Sequence, residues 1–92
     1  MLYELDCRYD SRNSFYGKAQ VQESEYLGNK VITLFSYSTR VADIIYHNDK
    51  VEYHCYGKYS STTTRHQKEF FKQFGLTEKE IKELFEKGVL EV

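Results

Sequence analysis

A change of period at Tyr59 limits the possible folds more than any other feature of this chain. Up to that residue, apolar and polar side chains alternate as they do in strands. Beyond it, Gln67, Phe70, Phe71 and Phe74 recur at i, i+3, i+4 and i+7, the spacing of an amphipathic helix. Strand patterning followed by helix patterning is the mark of the α+β class.

Within the strand region, Tyr3, Leu5 and Cys7 alternate with Glu4 and Asp6. Over residues 15–22, Phe15, Ala19 and Val21 oppose Tyr16, Lys18, Gln20 and Gln22. The stretch KVITLFSY, residues 30–37, is apolar on both faces and fits a central strand. Gly28-Asn29 marks a turn before it. The clearest hairpin is VADIIYHNDKVEYHCY, residues 41–56, around Asn48-Asp49. Pairing 47 with 50 sets Tyr46 opposite Val51, Ile44 opposite Tyr53 and Ala42 opposite Cys55, all six on one face. The other face pairs Ile45 with Glu52 and Asp43 with His54. A slip by one residue would destroy that agreement, so the register is well specified. Residues 36–40, SYSTR, join this hairpin to the preceding strand by a turn or a bulge.

The first helix should begin near Ser61 to Thr63 and stop at Gly75, a glycine placed to end it. The second begins at once. Thr77 and Glu80 form a capping box, Leu76 and Ile81 a hydrophobic staple, and Gly88 closes the helix. The final VLEV is a short strand or a docked tail. The expectation is one domain over 1–92. It comprises an antiparallel sheet of four to five strands within about 1–59, then a C-terminal αα-hairpin over about 61–88 packed on one face.

Thirteen basic residues stand against fourteen acidic ones, and both portions of the chain, 1–59 and 60–92, are close to balanced. That excludes a basic tail for nucleic acid and an acidic block that imitates DNA. No apolar run approaches the roughly 20 residues of a membrane span. The opening MLYELDCRYD is too short and too charged for a signal peptide, so the expected location is the cytoplasm. Two cysteines are too few for a disulfide framework. Nine Tyr and six Phe, with no Trp, exceed what a small core needs. The surplus suits strands, or an interface that exploits the apolar ring and polar tip of Tyr.

Four arrangements bear on chemistry. Cys7, Cys55, His47, His54 and His66 are the residues that could bind zinc, but no C-x-x-C or H-x-x-x-H spacing occurs, so no metal is expected. His54 and Cys55 are adjacent on a strand and point to opposite faces. Asp43 beside His54 is the minimal part of a general base, yet no nucleophile motif accompanies it, and a surface ion pair accounts for it. FKQFGLTEKEIKELF has the outline of a helix-turn-helix, but Glu78, Glu80, Glu83 and Glu86 oppose the phosphate field that a recognition helix must enter. The run KYSSTTTRHQKEF, residues 58–70, could cap a helix or contact an anion. It lacks the glycine and lysine of a phosphate loop, and capping needs only one of its five hydroxyls.

This run also carries a resemblance. The pattern aromatic-Ser-x-Thr-Thr-x-Arg-His, then a helix ending in Gln-x-Gly, is met here by Tyr59, Ser60, Thr62, Thr63, Arg65, His66, Phe70, Gln73 and Gly75. Upstream, Tyr37, Thr39 and Val41 also match. It resembles a family of small uncharacterised proteins encoded by bacteriophages and related mobile elements of Gram-positive bacteria. The resemblance covers about residues 30–75 and implies a phage setting rather than a reaction.

That setting favours a small cytosolic protein, in the bacterial host cell, that binds a host protein stoichiometrically and inhibits or modulates it. Its sharpest form is an anti-CRISPR inhibitor of a CRISPR effector. No catalytic residue, cofactor or membrane contact is expected, and the protein would be a monomer or homodimer. The candidate binding residues are Tyr37, Arg40, Tyr59, Ser60, Ser61, Thr62, Arg65 and His66. The alternatives are a single-stranded nucleic-acid-binding module using Tyr and Arg on the sheet, and a zinc-binding or enzymatic protein using the His and Cys residues.

Overall fold

The computed structural model describes residues 1–11, 14–57 and 59–92; Lys58, which opens the hydroxyl-rich run, lies outside them. Eight elements follow one another: β1 (Leu2–Glu4), β2 (Ala19–Tyr26), β3 (Asn29–Ser36), β4 (Thr39–Tyr46), β5 (Val51–Cys55), α1 (Ser61–Gln73), α2 (Glu78–Lys87) and β6 (Val89–Glu91). The strands form one antiparallel sheet in chain order, with the helices on one face. The architecture is therefore α+β, with six strands instead of the expected four or five. The added strand lies beyond the helices. Gly88 adopts φ 82°, the left-handed backbone that a β-carbon disfavours, and turns the chain back so that Leu90 pairs with Tyr53.

The β4–β5 register is the one that its side chains specify: Tyr46 faces Val51, Ile44 faces Tyr53 and Ala42 faces Cys55. The expected strands nearer the N-terminus are displaced. β2 begins at Ala19, because Tyr16-Gly17 form a tight turn closed by Lys18 N–H to Phe15 C=O at 3.0 Å, and it runs on to Tyr26. The β2–β3 turn sits on Leu27-Gly28, one residue before the Gly28-Asn29 signal. Residues 36–40 hold a turn, and a bulge lies beside it. Tyr37-Ser38 make the turn, and a register shift after Leu34 leaves Val41 as an extra residue in β4.

The helices cover the closed face. Phe70 and Phe71 of α1, with Ile81 and Leu84 of α2, pack on Val21, Leu34, Ala42 and Ile44. Full burial of a phenylalanine ring contributes up to about 3 kcal/mol, so the two adjacent rings of α1 anchor this layer. The α1–α2 joint follows its local chemistry. Gly75 N–H donates to Lys72 C=O and Leu76 N–H to Phe71 C=O, which ends α1 in a Schellman motif. Thr77 and Glu80 exchange the two bonds of the capping box, and Leu76 and Ile81 are both buried beside it.

No helix of the described residues is long and apolar enough to cross a membrane. Among the described residues, no element packs over the second, open face of the sheet. Even so, Val31, Thr33 and Asp43 are buried there by neighbouring side chains.

Candidate functional site

The hydroxyl-rich run builds the start of α1 and its seat on the sheet. Ser60 is the N-cap, and its hydroxyl accepts from Thr63 N–H at 3.2 Å. Ser61 and Thr62 follow on the first turn, outward of the core. Thr63 faces inward, 3.0 Å from Ser36 Oγ, and the same hydroxyl lies 2.8 Å from His66 Nδ1. His66 is 1% exposed, with Phe15 edge-on to its ring and Tyr37 tilted over it. One turn on, Gln67 donates to the carbonyl of the bulged Val41 at 3.0 Å. Glu69 accepts from Tyr9 N–H and Asp10 N–H, and Arg65 reaches Asp10 at 3.7 Å. Much of the signature thus joins α1 to the bulge and to the N-terminal loop.

The structure does not bring the eight candidate residues onto one surface. Tyr37 sits at the tip of the β3–β4 turn, and Arg40 lies on the open face of the sheet. Tyr59 borders a groove between the two helices. Ser60, Ser61 and Thr62 form the helix start, Arg65 lies on the flank of α1 that meets the N-terminal loop, and His66 is internal. A strand-helix junction sends successive side chains in different directions, so closeness in sequence is not closeness in space.

Tyr16 belongs beside Tyr37 and was missed in the sequence. Tyr37 N–H donates to Lys18 C=O at 2.8 Å, which ties the two turns together. Both tyrosines have positive φ, 53° at Tyr16 and 50° at Tyr37, and both are exposed. Tight turns of this hand favour Asn or Gly, so a tyrosine in either place adds backbone strain. A Tyr directly before Gly17, where Asn would suit a two-residue turn, is the sequence signal. Gly17, Lys18, Phe35, Tyr37 and Ser38 line a shallow hollow of about 810 Å3 at this end of the sheet.

The open face holds two polar clusters. Asp43 accepts from Thr33 Oγ1 at 2.5 Å, Arg40 Nε at 2.9 Å and Tyr56 Oη at 2.6 Å. Its carboxylate is fully buried, and burial followed by the bond to Asp43 pushes the Tyr56 phenol up to about 12. The expected surface pair of Asp43 with His54 is therefore corrected. The two residues are cross-strand neighbours, but Arg40, Tyr56 and Thr33 take the carboxylate, while His54 turns to Glu52 at 3.1 Å. His47 Nε2 lies 2.7 Å from the other oxygen of Glu52. The hydrogen bond from His54, with His47 close to the other oxygen, holds Glu52 below the usual carboxylate range.

Of the residues considered for zinc, His47 and His54 meet at Glu52 on the open face, away from the others. Cys55 lies on the closed face, where burial pushes its thiol up to about 11, and His66 lies under α1. Among the described residues, no group of three His, Cys, Asp or Glu side chains is placed to hold a metal ion.

Fold and surface together define a small α+β protein with strained aromatic turn tips beside a helix start and an open polar sheet face. The chain belongs to a family of unknown function (DUF8033), whose model matches residues 3–87. No curated protein and no solved structure matches it.

Proposed function

We propose that this is a stoichiometric binding protein, without catalytic activity, that inhibits or modulates a host protein through the end of the sheet bearing Tyr16 and Tyr37. The observation that carries this reading is their conformation. Both rings are exposed on left-handed backbone, where Asn or Gly would be the more stable choice. Exposed Tyr is also the residue type most suited to protein interfaces, since it presents a large ring with few rotatable bonds. The Tyr37 ring also lies 5.8 Å from that of His66, so this end of the sheet adjoins α1. The phage setting and the sharpest version, inhibition of a CRISPR effector in the bacterial cytoplasm, rest on the resemblance of the signature and on biological analogy.

The test is a pull-down from host lysate with wild type, Tyr16→Asn and Leu27→Asn. Leu27 has the same backbone, φ 52° before a glycine, but lies at the opposite end of the sheet. A specific partner retained by Leu27→Asn and lost by Tyr16→Asn supports the reading. A partner held equally by all three, or no partner, overturns it.

Single-stranded nucleic acid is the second reading, and it has one observation in its favour: Phe35, His54 and Tyr56 are aromatic rings on or beside the open face. The charge there is unfavourable, because Arg40 is engaged by Asp43, and Glu4, Glu52 and Glu91 share that face. Flat titrations with single strands at low salt would remove this reading.

A further inference from the structure

The outer surface of the helical layer carries a groove of about 950 Å3 between α1 and α2. Ile81, which is buried, with Phe85 and Tyr59 gives it an apolar floor, and charged side chains form the rest of its lining. Lys68 stands on the α1 side, and Lys79 and Lys82 stand on the α2 side. None of these three lysines is within ion-pair distance of a carboxylate among the described residues. The acidic groups nearby are largely engaged elsewhere: Glu78 is held by Lys72 at 2.5 Å and Glu83 by Lys87 at 2.8 Å. Glu86 alone remains on the rim against the three lysines. The chain as a whole carries a net charge of −1, so this positive rim is a local arrangement.

We propose that this groove is a docking site for an acidic amphipathic helix of a partner protein. Its apolar face would lie on Ile81, Phe85 and Tyr59, and its carboxylates would reach Lys68, Lys79 and Lys82. Two packed helices with an apolar furrow between them are a geometry into which a third helix packs. The lysines select the sign of the flanking charge and fix the register of the entering helix. Single-stranded nucleic acid is disfavoured as the occupant, because three lysines split between the two sides of an apolar floor do not form a continuous track for a phosphate backbone. The site shares with the reading above the premise that this is a binding protein, but it lies on a different surface.

The test is direct titration, with no lysate. The probe is a short fluorescein-labelled peptide designed as a helix, with Leu and Phe along one face and Glu elsewhere. Its counterpart carries Lys for Glu, and labelled oligothymidylate is the third arm. The acidic peptide should bind saturably, more weakly as salt rises, and the basic one should not. Lys79→Glu with Lys82→Glu should weaken it by roughly tenfold or more, with the circular dichroism of the fold unchanged. Amide shifts should centre on Tyr59, Thr64, Lys68 and Phe85. Absence of acidic-peptide binding, equal binding by the double variant, or oligothymidylate displacing the peptide would each overturn the proposal. Loss here with a Tyr16-dependent partner retained leaves the first reading standing; the opposite pattern separates them the other way.

Discussion

The two faces of the sheet reach the same depth of burial by different means. On the closed face, Ala42 and Ile44 are removed from water by two helices and the rings of Phe70 and Phe71. On the open face, Asp43 lies between them in sequence and is equally buried with no layer above it. Three donors enclose it, and Arg40 and Tyr56 lie across it. Packing is tolerant of chemistry and sensitive to volume. Hydrogen-bonded burial is the reverse, because the carboxylate is stable there only while its donors remain.

That contrast orders the effects expected from substitution. Phe71→Ala should cost the most, about 3–5 kcal/mol in urea unfolding, since it leaves a cavity under α1. A smaller loss would mean that the helical layer can collapse onto the sheet. Asp43→Ala should cost roughly 2–4 kcal/mol, because the buried Thr33 hydroxyl loses its acceptor along with Arg40 and Tyr56. If Asp43→Ala is neutral, the open face is held by its apolar residues instead. Tyr56→Phe should cost about 1 kcal/mol near neutral pH, the worth of one partly exposed hydrogen bond.

Tyr56→Phe also sharpens the comparison through pH. Folding raises the phenol from its ordinary value of 10.0 to about 12, so the folded chain favours its protonated form. Stability from this group is complete below pH 10 and is lost as pH rises toward about 12. Alkaline unfolding followed by circular dichroism should therefore lose one ionisation-linked step in the Phe variant.

The smallest expected change has the opposite sign. Tyr16→Asn creates Asn-Gly at a positive-φ turn and should stabilise the fold by roughly 0.5–1 kcal/mol in the same urea assay. Leu27→Asn should do likewise. If Tyr16→Asn is destabilising instead, Tyr16 serves the fold, and its backbone no longer argues for a partner.

How much of this was legible beforehand follows from which interactions are local. The β4–β5 register needed only alternation and one turn, and the α2 start needed only Thr77, Glu80, Leu76 and Ile81. The start of α1, expected near Ser61 to Thr63 and found at Ser61, and its end before Gly75 were also readable. The candidate site was much less so. His66 and Arg65 are adjacent in the chain, but one is internal and the other faces the N-terminal loop, because neighbours on a helix are about 100° apart. Tyr16 was overlooked because an alternating pattern concealed a turn.

The sequence by itself determined the α+β class, the pairing of β4 with β5, the caps of α2 and the glycine that ends α1, since each depends on residues within a few positions of one another. Only the tertiary structure decided that VLEV is a sixth strand, that Val41 is a bulge held by Gln67, and that Asp43 is buried on a face with no cover. Those outcomes depend on contacts across many residues of chain, where alternation still names the face but no longer says what meets it.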